Sequence, residues 1–369
     1  MIVPSFPTLE IGDPVPPIVL PSQSGERLSL HSPVVAGNPL VLLATRRLDA
    51  AAEAELDILA QEQHRFAAIG ARLLAMTGEN PVENGRVAAA HGLCCPVLSD
   101  EPGDVLTILG VPSAAATPCY LLVIDHGLRL VDRFRCNGAG AETAAALARC
   151  ARLTQPRTQP MPVVTQQAPV LLIPHVFGPD LCRRLIDSWA EADKHEDVAS
   201  GYYSTGTGQS ADPSTRRPTL KRRTDWLIPN GPVHNEITDL LSRRVGPEMR
   251  KAFDFPAKSF EGLKIGCYDA TRGGYFRRHR DNVGPPDIRR RRFAMSLNLN
   301  DAYEGGEVHF PEYGPQLYRP PTGAALLFSC SLLHEAMEIR SGRRFVLITF
   351  FFGAAPTERA SMPPATASA

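Results

Sequence analysis

Residues 151–168, ARLTQPRTQPMPVVTQQA, separate two stretches of chain whose patterns do not read as one core. The segment is rich in Pro, Gln and Thr, lacks apolar periodicity, and carries prolines at 156, 160 and 162 that favour extended backbone. It is expected to be a linker between a domain over 1–150 and a second over 169–353. Two domains also suit a chain of 369 residues. The end, 354–369, is small, polar and proline-bearing, the composition of a disordered tail.

Before the linker, strand and helix signals alternate. "PLVLLAT" (39–45) and "ARLLAMTG" (71–78) are apolar runs of strand length, with an Ala/Glu/Leu-rich helical pattern between them. "PVENGRVAAAHGL" (81–93) opens on a proline suited to a first helical turn. "TPCYLLVIDHGLRLVDRFR" (117–135) reads as two strands about a His126-Gly127 turn. Such alternation implies an α/β domain around a central sheet.

After the linker, helices come first. "GPDLCRRLIDSWAEA" (178–192) puts Leu181, Leu185 and Trp189 on one helical face, and "PVHNEITDLLSRRVG" (232–246) is a second helix. From Lys264 onward, "LKIGCYDA", "RRFAMSLNLN", "GGEVHFP", "GAALLFSC" and "RRFVLITFFF" are short strands between turn clusters. The expected fold is a double-stranded β-helix (jelly roll) with supporting helices on one side.

The chemistry concentrates in "GGYFRRHRDN" (273–282). On a strand, His279 and Asp281 share a face and can converge on one ion. His195-Glu196-Asp197 has the same spacing, but it follows a helical stretch, where positions two apart diverge, and no second histidine follows at a sensible distance; His195 is read as surface. Behind His279 and Asp281 come His334 and, ten residues later, Arg344. Two imidazoles and one carboxylate on one face of an ion leave its other positions open, the donor set of non-haem Fe(II) oxygenases.

"RRFAMSLNLN" places Ala294, Ser296, Asn298 and Asn300 on one strand face and Phe293, Met295, Leu297 and Leu299 on the other. Ser296 and Asn298 are therefore candidates to line a hydrated cavity; His309 is a further candidate, structural or substrate-side. Arginines crowd the region at 216–217, 222–223, 277–278, 280 and 289–292. They read as a solvated rim with salt bridges or, more sharply, as an entrance steering an acidic substrate. The Gly- and Ser-rich stretch 200–215 is a candidate lid.

The stretches "APVLLIPHVFGPDLCRRLI", "CYDATRGGYFRRHRDN", "RRFAMSLNLNDAYEGGEVHFP" and "LLHEAMEIRSGRRFVLITFFF", in that order over about 169–353, resemble the prolyl-4-hydroxylase-type branch of the Fe(II)/2-oxoglutarate-dependent oxygenases. The resemblance implies Fe(II), 2-oxoglutarate and O2 as cofactors, with ascorbate as a candidate reductant. It implies hydroxylation of an unactivated C–H bond, with succinate and CO2 as by-products. Residue by residue, His279, Asp281 and His334 match the metal ligands, and Arg344 matches the residue that holds the far carboxylate of 2-oxoglutarate. Tyr268 falls near that carboxylate; a register one residue off would put Arg343 in the place of Arg344. The implied substrate is a prolyl residue of a protein or peptide, with a free amino acid or small metabolite as the alternative.

The N-terminal half resembles a peroxiredoxin of the thioredoxin-like fold through "IGDPVPPIVLPSQSGERLSL" (11–30), "LCCPVLSD" (93–100) and "ATPCYLLVIDHGLRL" (116–130), where Thr117–Pro118 matches the family's cis-proline. It departs from the family at the decisive place. The T-x-x-C that sets the peroxidatic cysteine at the head of a helix reads Thr45-Arg46-Arg47-Leu48 here. The expectation is a redox-dead domain kept for docking or for a homodimer. A thiol peroxidase working through Cys94 or Cys95 is the rival from another class.

Lys+Arg and Asp+Glu both number 39, which gives no reason to expect nucleic acid or an acidic membrane surface as partner. Dealkylation of nucleic acid is further disfavoured because those relatives usually carry a second spaced arginine, which "RRFVLITFFF" lacks. No apolar run has the length of a bilayer span, and the start has no secretory pattern. Eight cysteines without a CxxC pair read as reduced thiols of a cytoplasmic protein.

Overall fold

A computed structural model describes residues 7–113, 118–154, 163–192, 195–196 and 220–353. The tail at 354–369, residues 155–162 of the linker, the candidate lid, Arg216, Arg217 and Thr117 lie outside the described residues. The chain divides into two compact units, Met1–Pro162 and Val163–Ala369.

In the first unit a five-stranded sheet runs Val97–Ser99, Arg72–Thr77, Leu40–Ala44, Tyr120–Ile124, Leu130–Arg135 in spatial order. The first three strands are parallel and the last two antiparallel. Leu40–Ala44 is buried along its whole length because both its faces are covered. Leu40, Leu42 and Ala44 join one core with Leu106 and Leu109, while Val41 and Leu43 join another with Leu56, Leu59, Val87 and Leu147 from three helices. Those helices are Ala50–Ala68, Pro81–His91 and Ala141–Leu153, so the last one runs into the segment expected to be linker. Asp49 and Asn80 cap the first two, each accepting from a backbone N–H three residues on.

Where a tight His126-Gly127 turn is expected, the connection spans 125–129. Asp125 Oδ1 accepts from the N–H of both Gly127 and Arg129, and Leu128 takes the left-handed conformation at φ 64°. The aspartate's side chain, absent from a dipeptide reading, sets this loop.

The second unit is built on antiparallel strands in two sheets. The larger runs Val170–Ile173, Ala325–Ser329, Phe293–Asn298, Ile339–Phe352, Lys264–Asp269, Thr224–Leu227, His195–Glu196, with Ser259–Phe260 and Tyr303–Gly305 also paired to the long Ile339–Phe352 strand. The smaller runs Lys221–Arg222, Tyr275–His279, His334–Ala336, Val308–His309, Leu317–Tyr318. His195 thus begins a two-residue strand paired with Asp225, where a position trailing a helix is expected; the extended backbone there is held by its partner strand.

Period-two alternation sorts the larger sheet into two faces. Ile265, Cys267, Met295, Leu297, Phe345 and Leu347 form a core with Leu181, Leu185, Trp189, Ile237 and Leu241 from the helices Pro179–Glu191 and Pro232–Arg244. The intervening residues, among them Lys264, Tyr268, Ala294, Ser296, Arg344, Ile348 and Phe350, line a pocket against the smaller sheet. This is the two-sheet sandwich of a jelly roll, helices outside and site inside.

Candidate metal centre and cosubstrate pocket

His279 ends the Tyr275–His279 strand, and His334 opens the neighbouring His334–Ala336 strand as its direct cross-strand partner. Asp281 lies two residues beyond His279, held by its N–H on the carbonyl of Cys330. Opposed strands thus bring together side chains 55 residues apart in the chain, and the possible donor atoms of all three lie within 4.8 Å of one another.

Each imidazole is oriented from behind. His279 Nδ1 bonds the carbonyl of Arg277 at 2.8 Å and His334 Nδ1 that of Leu332 at 3.0 Å. A carbonyl only accepts, so both Nδ1 atoms carry a proton and each ring turns its Nε2 inward. His279 Nε2 stands 3.3 Å from Asp281 Oδ1, and His334 Nε2 stands 3.3 Å from Asp281 Oδ2. Lone pairs of two nitrogens and a carboxylate facing one another are mutually repulsive unless a cation or added protons lie among them. Two nitrogens, one carboxylate and oriented second nitrogens fit a divalent first-row metal.

Burial alone would raise the Asp281 carboxyl, but protons on the Nε2 atoms of His334 and His279 on either side hold it well below the usual carboxylate range. It is therefore an anion at neutral pH. Arg291 steadies it: the guanidinium donates from Nη1 to the Asp281 carbonyl at 3.2 Å, and grips Glu261 with Nε and Nη2 at 2.5 and 2.7 Å.

Arg344 is 2% exposed and lines the same pocket. Its Nε and Nη2 both donate to Asn298 Oδ1, at 3.2 and 2.9 Å, and Nη2 also reaches Ser296 Oγ at 3.2 Å. Tyr268 is its cross-strand partner, its ring centroid 5.5 Å from the guanidinium carbon. Among the described residues no carboxylate pairs with Arg344, although an uncompensated buried charge costs on the order of several kcal/mol. Arg343, one residue earlier, is exposed on the opposite face over Phe345. The strand's alternation thus distinguishes the two arginines.

Of the candidate lining residues, Ser296 lines the pocket, while Asn298 and His309 do not. Asn298 shares the face of Ser296 but is spent on Arg344, Tyr303 Oη and the carbonyl of Pro320. His309 follows Val308, which takes the pocket-facing place, so alternation turns the imidazole away. There it bonds Glu335 at 2.9 Å and the carbonyl of Gly314 at 3.0 Å. Most arginines near the site are rim residues: Arg278 pairs with Glu335, and Arg280 with Glu312. The pocket also takes Arg223, Lys264 and Arg291, which sequence reasoning missed as site residues. One signal was available: Lys264 and Tyr268, four apart on a strand, share a face.

In the N-terminal unit, Leu48 stands just before the helix cap Asp49 and packs on the core. Burial pushes the Cys95 thiol up to about 11 and that of Cys150 to about 12. The Cys119 thiol, then burial, raises Cys136 further still. No helix among the described residues is long and apolar enough to cross a membrane.

Residues 263–352 match the family model of the 2OG-Fe(II) oxygenase superfamily, and residues 11–129 match that of the AhpC/TSA family. Among solved structures, the chain is similar to a Pseudomonas putida prolyl-4-hydroxylase, at 18% identity over 52% of this chain and 95% of that one, TM-score 0.39. It is also similar to a 2OG-Fe(II) oxygenase family oxidoreductase from Burkholderia pseudomallei, at 18% identity over 50% and 84%, TM-score 0.38. A third similarity is to the peroxidoxin BcpB of Mycobacterium tuberculosis, at 21% identity over 40% and 99%, TM-score 0.36. No curated protein matches the chain in sequence. The chain carries an AhpC/TSA domain at its N-terminal end and, at its C-terminal end, a 2OG-Fe(II) oxygenase domain, which makes it a 2-oxoglutarate-dependent dioxygenase working with Fe(II), 2-oxoglutarate and O2.

Proposed function

We propose that the C-terminal domain hydroxylates a prolyl residue of a protein or peptide. In this reading His279, Asp281 and His334 hold Fe(II), and Arg344 with Tyr268 receives the far carboxylate of 2-oxoglutarate. The observation that carries it is one pocket containing both a His-Asp-His donor set and a buried guanidinium without a carboxylate partner among the described residues. Arginine suits the second task because it stays ionised and presents two parallel donors to a carboxylate.

When bound, Fe(II) supplies the activation of O2 that couples 2-oxoglutarate decarboxylation to hydroxylation. The protein's own share is positional. Arg277 and Leu332 carbonyls fix the two imidazoles, Arg291 fixes the Asp281 backbone, and Asn298 with Ser296 aims Arg344. Phe276, Val308, Phe328, Ile348 and Phe350 give the pocket an apolar wall that excludes water and suits a pyrrolidine ring.

The substrate assignment draws on the sequence stretches shared with prolyl-4-hydroxylases, with a free amino acid or small metabolite as the alternative. Ascorbate is the proposed reductant and the cytoplasm the proposed location, the latter supported by eight free cysteines. The N-terminal domain is proposed to serve docking or dimerisation, since leucine stands where the nucleophile belongs. No nucleic-acid partner is proposed.

Succinate release from 2-oxoglutarate with Fe(II), together with Mn(II) binding, is measured for wild type and His279→Ala. The reading requires both in wild type and neither in the variant; wild-type protein that binds no metal would sink it.

A further inference from the structure

Arg223 stands at the single position where the chain crosses from one sheet to the other. Before it, Lys221 and Arg222 pair with Phe276 and Tyr275 of the smaller sheet. After it, Thr224–Leu227 pairs with Lys264–Cys267 of the larger one. Its guanidinium grips both carboxylate oxygens of Asp225, with Nε at 2.6 Å and Nη2 at 2.8 Å, while Nη1 reaches Tyr268 Oη at 3.1 Å. Gly266, the cross-strand partner of Asp225, makes room for this. A Cβ there would lie 2.7 Å from Arg223 Cδ and 2.9 Å from its Nε, so a larger residue displaces the arginine.

The bond to Tyr268 has a fixed sense. A guanidinium donates and never accepts, so the phenol oxygen is the acceptor and the hydroxyl's own hydrogen remains for another partner. Tyr268 is 3% exposed and makes no other hydrogen bond among the described residues. A buried phenol normally finds an acceptor, because leaving the donor unmatched costs free energy. Donation from the charged Arg223 also polarises the O–H group, which makes it a stronger donor.

The pocket that Tyr268 lines is the one that Arg344 enters. The two residues are cross-strand partners, and the Tyr268 ring centroid is 5.5 Å from the guanidinium carbons of both Arg344 and Arg223. The two arginines are nevertheless different in kind. Arg223 holds a carboxylate of the protein, whereas Arg344 is held by the neutral groups of Asn298 and Ser296. The unmatched phenol donor and the guanidinium without a protein carboxylate thus face one cavity, and a single carboxylate of a ligand answers both.

We propose that Asp225 and Arg223 are positioning residues for the cosubstrate: Asp225 fixes Arg223, and Arg223 fixes Tyr268 so that its hydrogen is presented to the carboxylate held by Arg344. The proposal rests on the reading of Arg344 as the 2-oxoglutarate residue. Neither Asp225 nor Arg223 has to touch the cosubstrate for this, and the space at Gly266 belongs to the same device.

The full chain loaded with Mn(II) is titrated with 2-oxoglutarate and with 2-oxopentanoate, which keeps the chelating end and lacks the far carboxylate. Wild type should prefer 2-oxoglutarate. Arg223→Lys keeps a positive charge beside Asp225 but has no second arm for the phenol, and Gly266→Ala displaces Arg223 without changing it. In these two variants and in Tyr268→Phe the preference should fall about tenfold, the order expected for one hydrogen bond to a charged group, with 2-oxopentanoate affinity unchanged. Arg223→Lys combined with Tyr268→Phe should lose no more than either alone, because both remove one interaction. Wild-type preference in any of the three single variants, an equal loss for both ligands, or losses that multiply in the double variant would each overturn the proposal. If Arg223→Lys fails to take up Mn(II), Gly266→Ala decides by the same readings. Wild-type protein that binds Mn(II) but shows no preference for 2-oxoglutarate would instead remove the reading of Arg344, and this proposal with it.

Discussion

Arg344 and Asn298 meet through a single atom: Nε and Nη2 of the guanidinium both donate to the amide oxygen of Asn298, at 3.2 and 2.9 Å. The amide is itself fixed, its nitrogen donating to Tyr303 Oη and the Pro320 carbonyl at 2.8 and 2.7 Å. Asn298 is therefore a positioning residue, aiming the guanidinium without lining the pocket.

Asn298→Ala should weaken 2-oxoglutarate binding about tenfold, the order expected for losing a charge-assisted bond. Mn(II) affinity without cosubstrate should stay at the wild-type value. Calorimetric titration of each ligand separates the two effects, and an equal loss of both would contradict the positioning role.

Metal should stabilise the folded C-terminal domain because it binds donors that only the fold assembles. Saturating Mn(II) should raise the wild-type melting temperature, and chelator should reverse the rise. His334→Ala should abolish the response; a shift that persists there would place the metal elsewhere.

Arg291 joins two roles that substitution can separate. Arg291→Met leaves Glu261 without its partner and should cost about 3–5 kcal/mol in chemical denaturation. Adding Glu261→Met should recover most of that stability. It should not recover Mn(II) affinity, expected to stay about 10- to 100-fold down because the Asp281 carbonyl has lost its donor.

Burial pushes the Lys264 ammonium down to about 8 from its ordinary 10.5; Asp225 opposes this, and Lys221, Arg223 and Arg291 reinforce it. Below about pH 8 folded and unfolded chains both hold the proton, and the burial penalty stands in full. Between about 8 and 10.5 the unfolded chain keeps a proton that the folded chain has released, so stability from this group rises with pH. Wild type should therefore gain on Lys264→Met across that window in melting experiments. A difference that stays flat would contradict it.

Among the eight cysteines only Cys94 is exposed. A thiol reagent should modify one group quickly in the native protein and the remaining seven only on denaturation. Cys94→Ser should remove the fast phase. Peroxide consumption with a dithiol donor should stay at background in both proteins; turnover in wild type that Cys94→Ser loses would restore the thiol-peroxidase reading.

The clustering of His279, Asp281 and His334 and the pocket-facing side of Arg344 were legible from the residue types and their order along the chain, although Asp281 stands in the turn just beyond its strand. Lys264 and Arg223 were not. Their meeting depends on the register of Thr224–Leu227 against Lys264–Asp269, which brings Asp225 opposite Gly266. Cross-strand register is a property of the assembled sheet and leaves no local mark. His309 shows the same limit at the scale of one residue, since Val308 takes the inward position. His195 shows it for backbone, a strand made by its partner.

The Ile339–Phe352 strand presents Arg344, Val346, Ile348 and Phe350 to one face in steps of roughly 6.6–6.8 Å. It works as a ruler laid along the cavity, with Arg344 at one mark and the Lys264 partner Ile348 two marks away. Length selectivity becomes a digital property: an engineered cation or bulky side chain can move only by whole marks. Retuning this enzyme toward longer or shorter substrates should proceed in jumps, with no graded intermediates between them.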